Sequence, residues 1–258
     1  VFVFGQKGDM ADGQRIEQDL TQGSLLKYLF TLGIPVMLGL AMHNLYTLTD
    51  LFWLGKLGPT EVAAVTLCHI LFFVILSIAQ AYGMGTLAIV SRAFGQKKPG
   101  SAASAVRNAV FIAVLTGIAF ATVIFVYADE IVIMLGAQKS VIPTSRDYLR
   151  PFGIGLACQM IALTMNFAIR GTGDMKTPML ILFVSTICNV TLDPLLIFGH
   201  GPFPRWEVAG AGIATAISQG LAAVFAIGVV VTGRTYIRVP ITLRFRPDWK
   251  LIGNILRI

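Results

Sequence analysis

Six long apolar runs alternate with short polar segments along this chain. They cover approximately residues 26–54, 60–90, 104–128, 141–170, 175–199 and 208–232. Because a membrane-spanning helix needs about 20 mostly apolar residues, each run predicts one transmembrane helix. The runs are too long and too continuously apolar for the strands of about ten alternating residues that build membrane barrels. The pattern therefore predicts an all-α integral membrane protein, with a six-helix transmembrane bundle over residues 25–233.

The composition fits this interpretation better than a soluble fold. Hydrophobic residues make up 55% of the chain and charged residues only 13%, whereas soluble domains carry about a quarter charged residues. A net charge of +7 suggests nucleic-acid binding in a soluble protein, but here the basic residues cluster between apolar runs. Anionic lipid headgroups explain that placement better. We expect the lipid bilayer as a partner and no nucleic acid.

The basic residues also predict the orientation. When the loops are assigned alternately to the two sides, fifteen of the 20 lysines and arginines fall on one side. The other side holds Lys56, Lys139, Arg146, Arg150 and Arg205. Because basic residues concentrate on the cytoplasmic side, we expect a multi-pass protein of the cell (inner or plasma) membrane with both termini in the cytoplasm.

The two ends of the chain are interpreted separately from the bundle. Residues 1–24 contain several acids and no compact apolar core, so they predict a cytoplasmic segment rather than a cleavable signal peptide. Residues 234–258 predict a basic, cytoplasmic connector, and its last part, RFRPDWKLIGNILRI, is typical of an amphipathic interfacial helix. A connector after an even number of helices suggests a truncated chain.

Two acids lie inside the apolar runs, Asp50 in the first helix and Asp193 in the fifth. A charge near the bilayer centre costs about 2.5–3.5 kcal/mol on insertion scales, so each acid needs compensation. A bound cation, a proton on the acid or hydrogen bonds between helices would provide it. The first two suit a transporter, and the third is a purely structural alternative.

Helical spacing adds polar neighbours to both acids. Asn189 lies one turn before Asp193, and Tyr46 lies one turn before Asp50. The fourth and sixth helices carry further polar residues at whole-turn spacing. These inward-facing candidates are Tyr148, Gln159 and Asn166 in the fourth helix and Thr215, Ser218 and Gln219 in the sixth.

Prolines and glycines mark possible bends and close contacts. Pro35 lies within the first helix and Pro194 directly follows Asp193, and each removes one intrahelical hydrogen bond. We therefore expect both prolines to let their helices bend. Gly210 and Gly212 predict close helix packing rather than a phosphate loop.

The sequence contains no nucleotide-binding motif, which excludes ATP as a power source within this chain. His43 and His69 share no ligand spacing with a cysteine or carboxylate, so they are interpreted as core or pore residues. We expect no enzyme activity and no cofactor other than a coupling ion.

Four segments together resemble the amino-terminal lobe of the multidrug and toxic compound extrusion (MATE) family. They are PVMLGLAMHNLYTLTDLFWLGKLGP (35–59), AIRGTGDMKTP (168–178), NVTLDPLLIFG (189–199) and VAGAGIAT (208–215). The resemblance covers about residues 24–240 and is strongest for the branch of DNA-damage-inducible and archaeal exporters.

This resemblance implies a fold of two six-helix lobes, of which the chain would be one, so we do not expect it to transport alone. It implies a site for Na⁺ or H⁺ at the positions of Asp50, Asn189, Asp193 and Thr215. A Na⁺ ion, if it is the coupling ion, would be liganded by the same four residues. Tyr148 and Asn166 match polar residues of the family's cavity, and Tyr46 and Gln159 join them on helical spacing.

The expected function is ion-coupled antiport that exports small organic cations or amphiphiles, with the missing carboxy-terminal lobe as partner. Two alternatives remain. One is a flippase of the same superfamily that moves lipid-linked sugars. Rings of cationic residues around its cavity would be more typical than paired acids. The other is a membrane scaffold or assembly subunit whose polar stripes only bind neighbouring helices.

Overall fold

The computed structural model describes residues 25–233, 235 and 247–257. Six of the helices within these residues are long and apolar enough to cross a membrane. This confirms the predicted all-helical bundle; residues 1–24 and most of the basic connector lie outside the described residues. The helices are α1 (Leu25–Gly55), α2 (Pro59–Gly95), α3 (Pro99–Met134), α4 (Ile142–Arg170), α5 (Lys176–Phe198), α6 (Glu207–Val231) and α7 (Trp249–Arg257).

Helices α2 and α3 extend beyond the runs that predicted them, so the predicted ends at residues 90, 104 and 128 were wrong. α2 continues through Arg92, whose side chain is exposed. α3 continues past a non-helical residue, Tyr127 (φ −112°, ψ 29°), and past Asp129, which pairs with Arg146 of α4 at 3.2 Å. Arg92 is accommodated by exposure and Asp129 by its ion pair, so neither charge terminates its helix.

Helix α4 occupies the centre of the bundle and packs against α2, α3 and α6. Small residues allow its backbone to approach α6 closely. A Cβ atom on Gly155 would lie 2.5 Å from the Cα of Ala216, and one on Gly212 would lie 2.7 Å from the carbonyl oxygen of Tyr148. The predicted packing role of Gly212 is thus confirmed, and this approach places Thr215 of α6 close to Tyr148.

Helix α1 is far less enclosed than α4. It packs mainly on α5, and the side chains of Met37 and Leu48 are 69% and 64% exposed. Its buried residues include Pro35 and Asp50. Neither Pro35 in α1 nor Pro194 in α5 interrupts its helix in this conformation. Bending at the two prolines therefore stays a prediction.

The short helix α7 lies against the ends of α2 and α3. The backbone N–H of Asp248 donates to Oδ1 of Asn108 at 2.9 Å, and the Asp248 carboxyl group caps α7. Ile252 and Ile255 are buried, and the Ile255 carbonyl faces Gly85 of α2. The predicted amphipathic helix is present, but it is shorter than residues 244–258 and its apolar face packs against the bundle.

Candidate cation site and cavity

Asp193 and Asn189 form a pair one helical turn apart on the buried face of α5. The Nδ2 of Asn189 donates a hydrogen bond of 3.1 Å to Oδ1 of Asp193. Both side chains are 0% exposed. Asp193 Oδ2 and Asn189 Oδ1 are buried without a hydrogen-bond partner among the described residues. The pair therefore offers two acceptor oxygens in an enclosed position.

Asp50 lies near the end of α1 and is 1% exposed. The hydroxyl of Tyr148, from α4, donates to its Oδ2 at 3.5 Å, which is long for an O–H···O hydrogen bond. Asp50 Oδ1 has no partner among the described residues. This acid is held less tightly than Asp193.

Helix packing brings the two acids and Thr215 into one neighbourhood. Asp50 and Asp193 interact electrostatically across the contact between α1 and α5. Thr215 of α6 interacts with Tyr46 of α1. Its hydroxyl is buried and makes no hydrogen bond of standard geometry with any described residue. The four predicted ion-site residues thus come from α1, α5 and α6, and each retains an acceptor oxygen.

Asp50 and Thr215 line a cavity of about 220 Å³, whereas Asn189 and Asp193 do not. The cavity has an aromatic wall, in which Phe72 and Phe152 stack with ring centroids 3.6 Å apart. Sequence reasoning missed both phenylalanines because they carry no polar signal. The one-turn spacing from Tyr148 to Phe152 could have indicated the second. Tyr46, Tyr148, Gln159, Gln219, His43 and His69 also line this cavity.

A second cavity, of about 300 Å³, adjoins the first. Asn166, Arg170 and Gln80 line this second cavity and not the first. Gln159 lines both cavities, as do His43, Leu76 and Gln219. Of the predicted cavity residues, Tyr46 and Tyr148 belong to the first cavity, Asn166 to the second and Gln159 to both.

The donor set of the proposed ion site is suited to a hard cation. The described residues hold no group of three or more His, Cys, Asp or Glu side chains that could bind a metal. Carboxyl, amide and hydroxyl oxygens are nevertheless the ligands that hard cations prefer. Asp50, Asn189, Asp193 and Thr215 supply only oxygens of these kinds to an ion.

Residues 35–195 of the chain match the family model described as MatE. The chain belongs to the MatE family. A solved structure titled "Crystal structure of MATE in the bent conformation" superimposes on it with a TM-score of 0.81. The two sequences are 28% identical, and the match covers 91% of this chain and 52% of the chain in that structure.

Curated relatives of this MatE chain agree with the structural match. The FAD transporter of Shewanella oneidensis is 28% identical over 89% of this chain and 51% of its own length. The probable multidrug resistance protein YoeA of Bacillus subtilis is 30% identical over 72% of this chain and 40% of its own length. The family resemblance is confirmed; by name, the first relative is a transporter and the second a probable multidrug resistance protein. The chain spans about half their length, as one lobe of two would.

Proposed function

We propose that this MatE chain is the amino-terminal lobe of an ion-coupled antiporter that exports small organic cations or amphiphiles. The coupling ion, Na⁺ or H⁺, binds among Asp50, Asn189, Asp193 and Thr215. The substrate occupies the adjoining cavities. A second six-helix lobe completes the transporter.

One observation carries this proposal: two buried acids from different helices lie close enough to interact, and each has an acceptor oxygen with no hydrogen-bond partner among the described residues. Two carboxylates at this position repel each other, and burial removes the water that would screen the repulsion. A cation or a proton relieves it. Because a ligand shifts conformations only through differential affinity, ion binding drives transport if the two acids are closer in one state than in the other.

The assignment of the chain's ends follows from the same proposal. Residues 1–24 form a cytoplasmic segment, residues 25–233 form the lobe, and residues 234–258 lead towards the second lobe. Both termini are cytoplasmic in a cell membrane. The fifteen basic residues on one side support this orientation.

The test is gradient-driven efflux by the complete transporter that contains this chain, reconstituted in liposomes. Asp50→Asn keeps the size of the side chain but removes its charge, so we expect efflux of a fluorescent organic cation to fall to the level of empty liposomes. Na⁺ and pH gradients are imposed separately to identify the coupling ion.

Asp147→Asn is the matched control. Asp147 lies on α4 next to Tyr148, but its side chain is 61% exposed. This variant should transport like the wild type. Unchanged gradient-driven efflux by the Asp50→Asn variant would contradict the proposal and favour a structural role of the acid.

The alternatives give different results in the same liposomes. A scaffold subunit transports neither under a Na⁺ gradient nor under a pH gradient. A flippase for lipid-linked sugars moves a labelled lipid instead of the organic cation. The paired acids support the antiporter over the flippase, because basic residues around the cavity would be more typical of a flippase than two acids.

A further inference from the structure

Arg170 brings a positive charge into the second cavity, opposite in sign to the acids of the first. It is the last residue of α4, is half-buried and lies over the ring of Phe167 at 5.9 Å. No acidic residue lines this cavity in the described part of the chain. Within the same residues, Arg170 takes part in no ion pair.

The groups around Arg170 are neutral hydrogen-bonding side chains. Gln80, Gln159, Asn166 and Gln219 supply amides to the cavity wall, and Ser185 supplies a hydroxyl. An arginine fork surrounded by amide donors fits a phosphate or carboxylate group. A half-buried cation that lines a cavity, with no acidic partner among the described residues, is also a candidate for binding a ligand.

We propose that Arg170 and the neighbouring amides bind an anionic group of the transported substrate. The inference rests on the proposed transport function and deepens it. The substrate is then one of the proposed amphiphiles: an aromatic small molecule that carries a phosphate or carboxylate. Its anionic end lies at Arg170, and its ring reaches the wall formed by Phe72 and Phe152. Gln159, which lines both cavities, marks the passage between the two ends.

A structural role is the competing explanation for Arg170. A basic residue in the last turn of a helix interacts favourably with the free carbonyls there. That role predicts a loss of stability on substitution but no discrimination between charged and uncharged ligands. An ion pair with the second lobe would likewise affect all ligands alike.

The test compares flavin mononucleotide with riboflavin, which share a ring system and differ by one phosphate. Binding to the complete protein in phosphatidylcholine nanodiscs is measured by quenching of flavin fluorescence. Since a charge-assisted hydrogen bond is lost, Arg170→Gln should weaken flavin mononucleotide binding about tenfold or more. Riboflavin binding should change less than about twofold, and Arg170→Lys should recover part of the loss.

Arg150→Gln is the matched control, since Arg150 also lies on α4 over a phenylalanine ring, Phe125 at 5.6 Å, but lines neither cavity. It should leave both ligands unaffected. Equal effects of Arg170→Gln on the two flavins, or no effect, would overturn the inference. So would loss of flavin mononucleotide binding when phosphatidylglycerol is added, because a lipid headgroup would then be the natural anion.

The flavin-binding test of Arg170 and the efflux test of Asp50 can fail independently of each other. If Asp50→Asn abolishes gradient-driven efflux while Arg170→Gln does not discriminate between the flavins, the antiporter stands and only the anionic subsite fails. If gradient-driven efflux survives Asp50→Asn, the coupling proposal fails whatever the flavins do.

Discussion

Asp50 and Asp193 are both buried acids in apolar helices, but their surroundings differ. Asp50 lines a cavity of about 220 Å³ and accepts one long hydrogen bond of 3.5 Å. Asp193 lies outside the cavity lining, is 0% exposed and accepts a bond of 3.1 Å from its own helix. A ligand arriving through the cavity meets Asp50 first. We interpret Asp193 as a fixed acceptor and Asp50 as the acid that exchanges partners.

Thiol labelling should show the largest difference between the two positions. Asp50→Cys and Asp193→Cys are compared after replacement of Cys68, Cys158 and Cys188 by alanine. Because reaction requires access to the thiol, a cationic methanethiosulfonate should modify position 50 at least about tenfold faster. Mass spectrometry measures the rates. Equal rates in folded protein would remove the distinction.

The next largest difference concerns stability. Removing the hydrogen-bond donor to Asp193 should lower the free energy of unfolding more than removing the donor to Asp50. Asn189→Ala leaves Asp193 without its partner in an enclosed position, which costs about 1–3 kcal/mol of unfolding free energy. Tyr148→Phe should cost less than about 1 kcal/mol, because water in the cavity can replace the hydroxyl at Asp50. Denaturant unfolding in detergent compares the two variants.

Thr191→Ala serves as the control for that comparison. Thr191 is exposed on the same helix, and its hydroxyl donates to the backbone carbonyl of Ile187 within its own helix. Its removal should change stability by less than about 0.5 kcal/mol. If Tyr148→Phe proved as costly as Asn189→Ala, the two acids would be held equally tightly and the comparison would be wrong.

The smallest expected effect concerns Thr215, which lines the cavity beside Asp50. Thr215→Val keeps the shape but removes the hydroxyl, so the affinity for the coupling ion should fall about tenfold or less, the value of one hydrogen bond. Thr215→Ser keeps the hydroxyl and should bind the ion like the wild type. Titration of ion-dependent efflux provides the measurement, and equal affinities of the valine and serine variants would exclude a ligand role.

The sequence reveals the bundle and the two acids for a simple reason: long apolar runs and isolated charges are local features. The division into two cavities is different, because it depends on how side chains from α1, α2, α4 and α6 pack against one another. Helical spacing placed Gln159 and Asn166 on one face, but only packing decides that Asn166 lines the second cavity alone.

Arg170 illustrates the same limit in another way. In the sequence it is one of fifteen basic residues assigned to the cytoplasmic side, and although it lies in the segment 168–178, its spacing does not suggest a site. Only the packed bundle shows that it lines a cavity without an acidic partner among the described residues. Helix ends were uncertain for a related reason, since Arg92 lies on an exposed helix surface and Asp129 on a partly buried one, and neither lies in a loop.

The central claim is that both acids contribute to one ion site. Its most direct test is the charge displacement that follows a jump in Na⁺ concentration or pH, recorded from the complete transporter on a supported membrane. One of the two cations should produce a transient current in the wild type and in Asp147→Asn. That current should be absent in Asp50→Asn and in Asp193→Asn. A current that survives in either of these two variants would contradict the shared site.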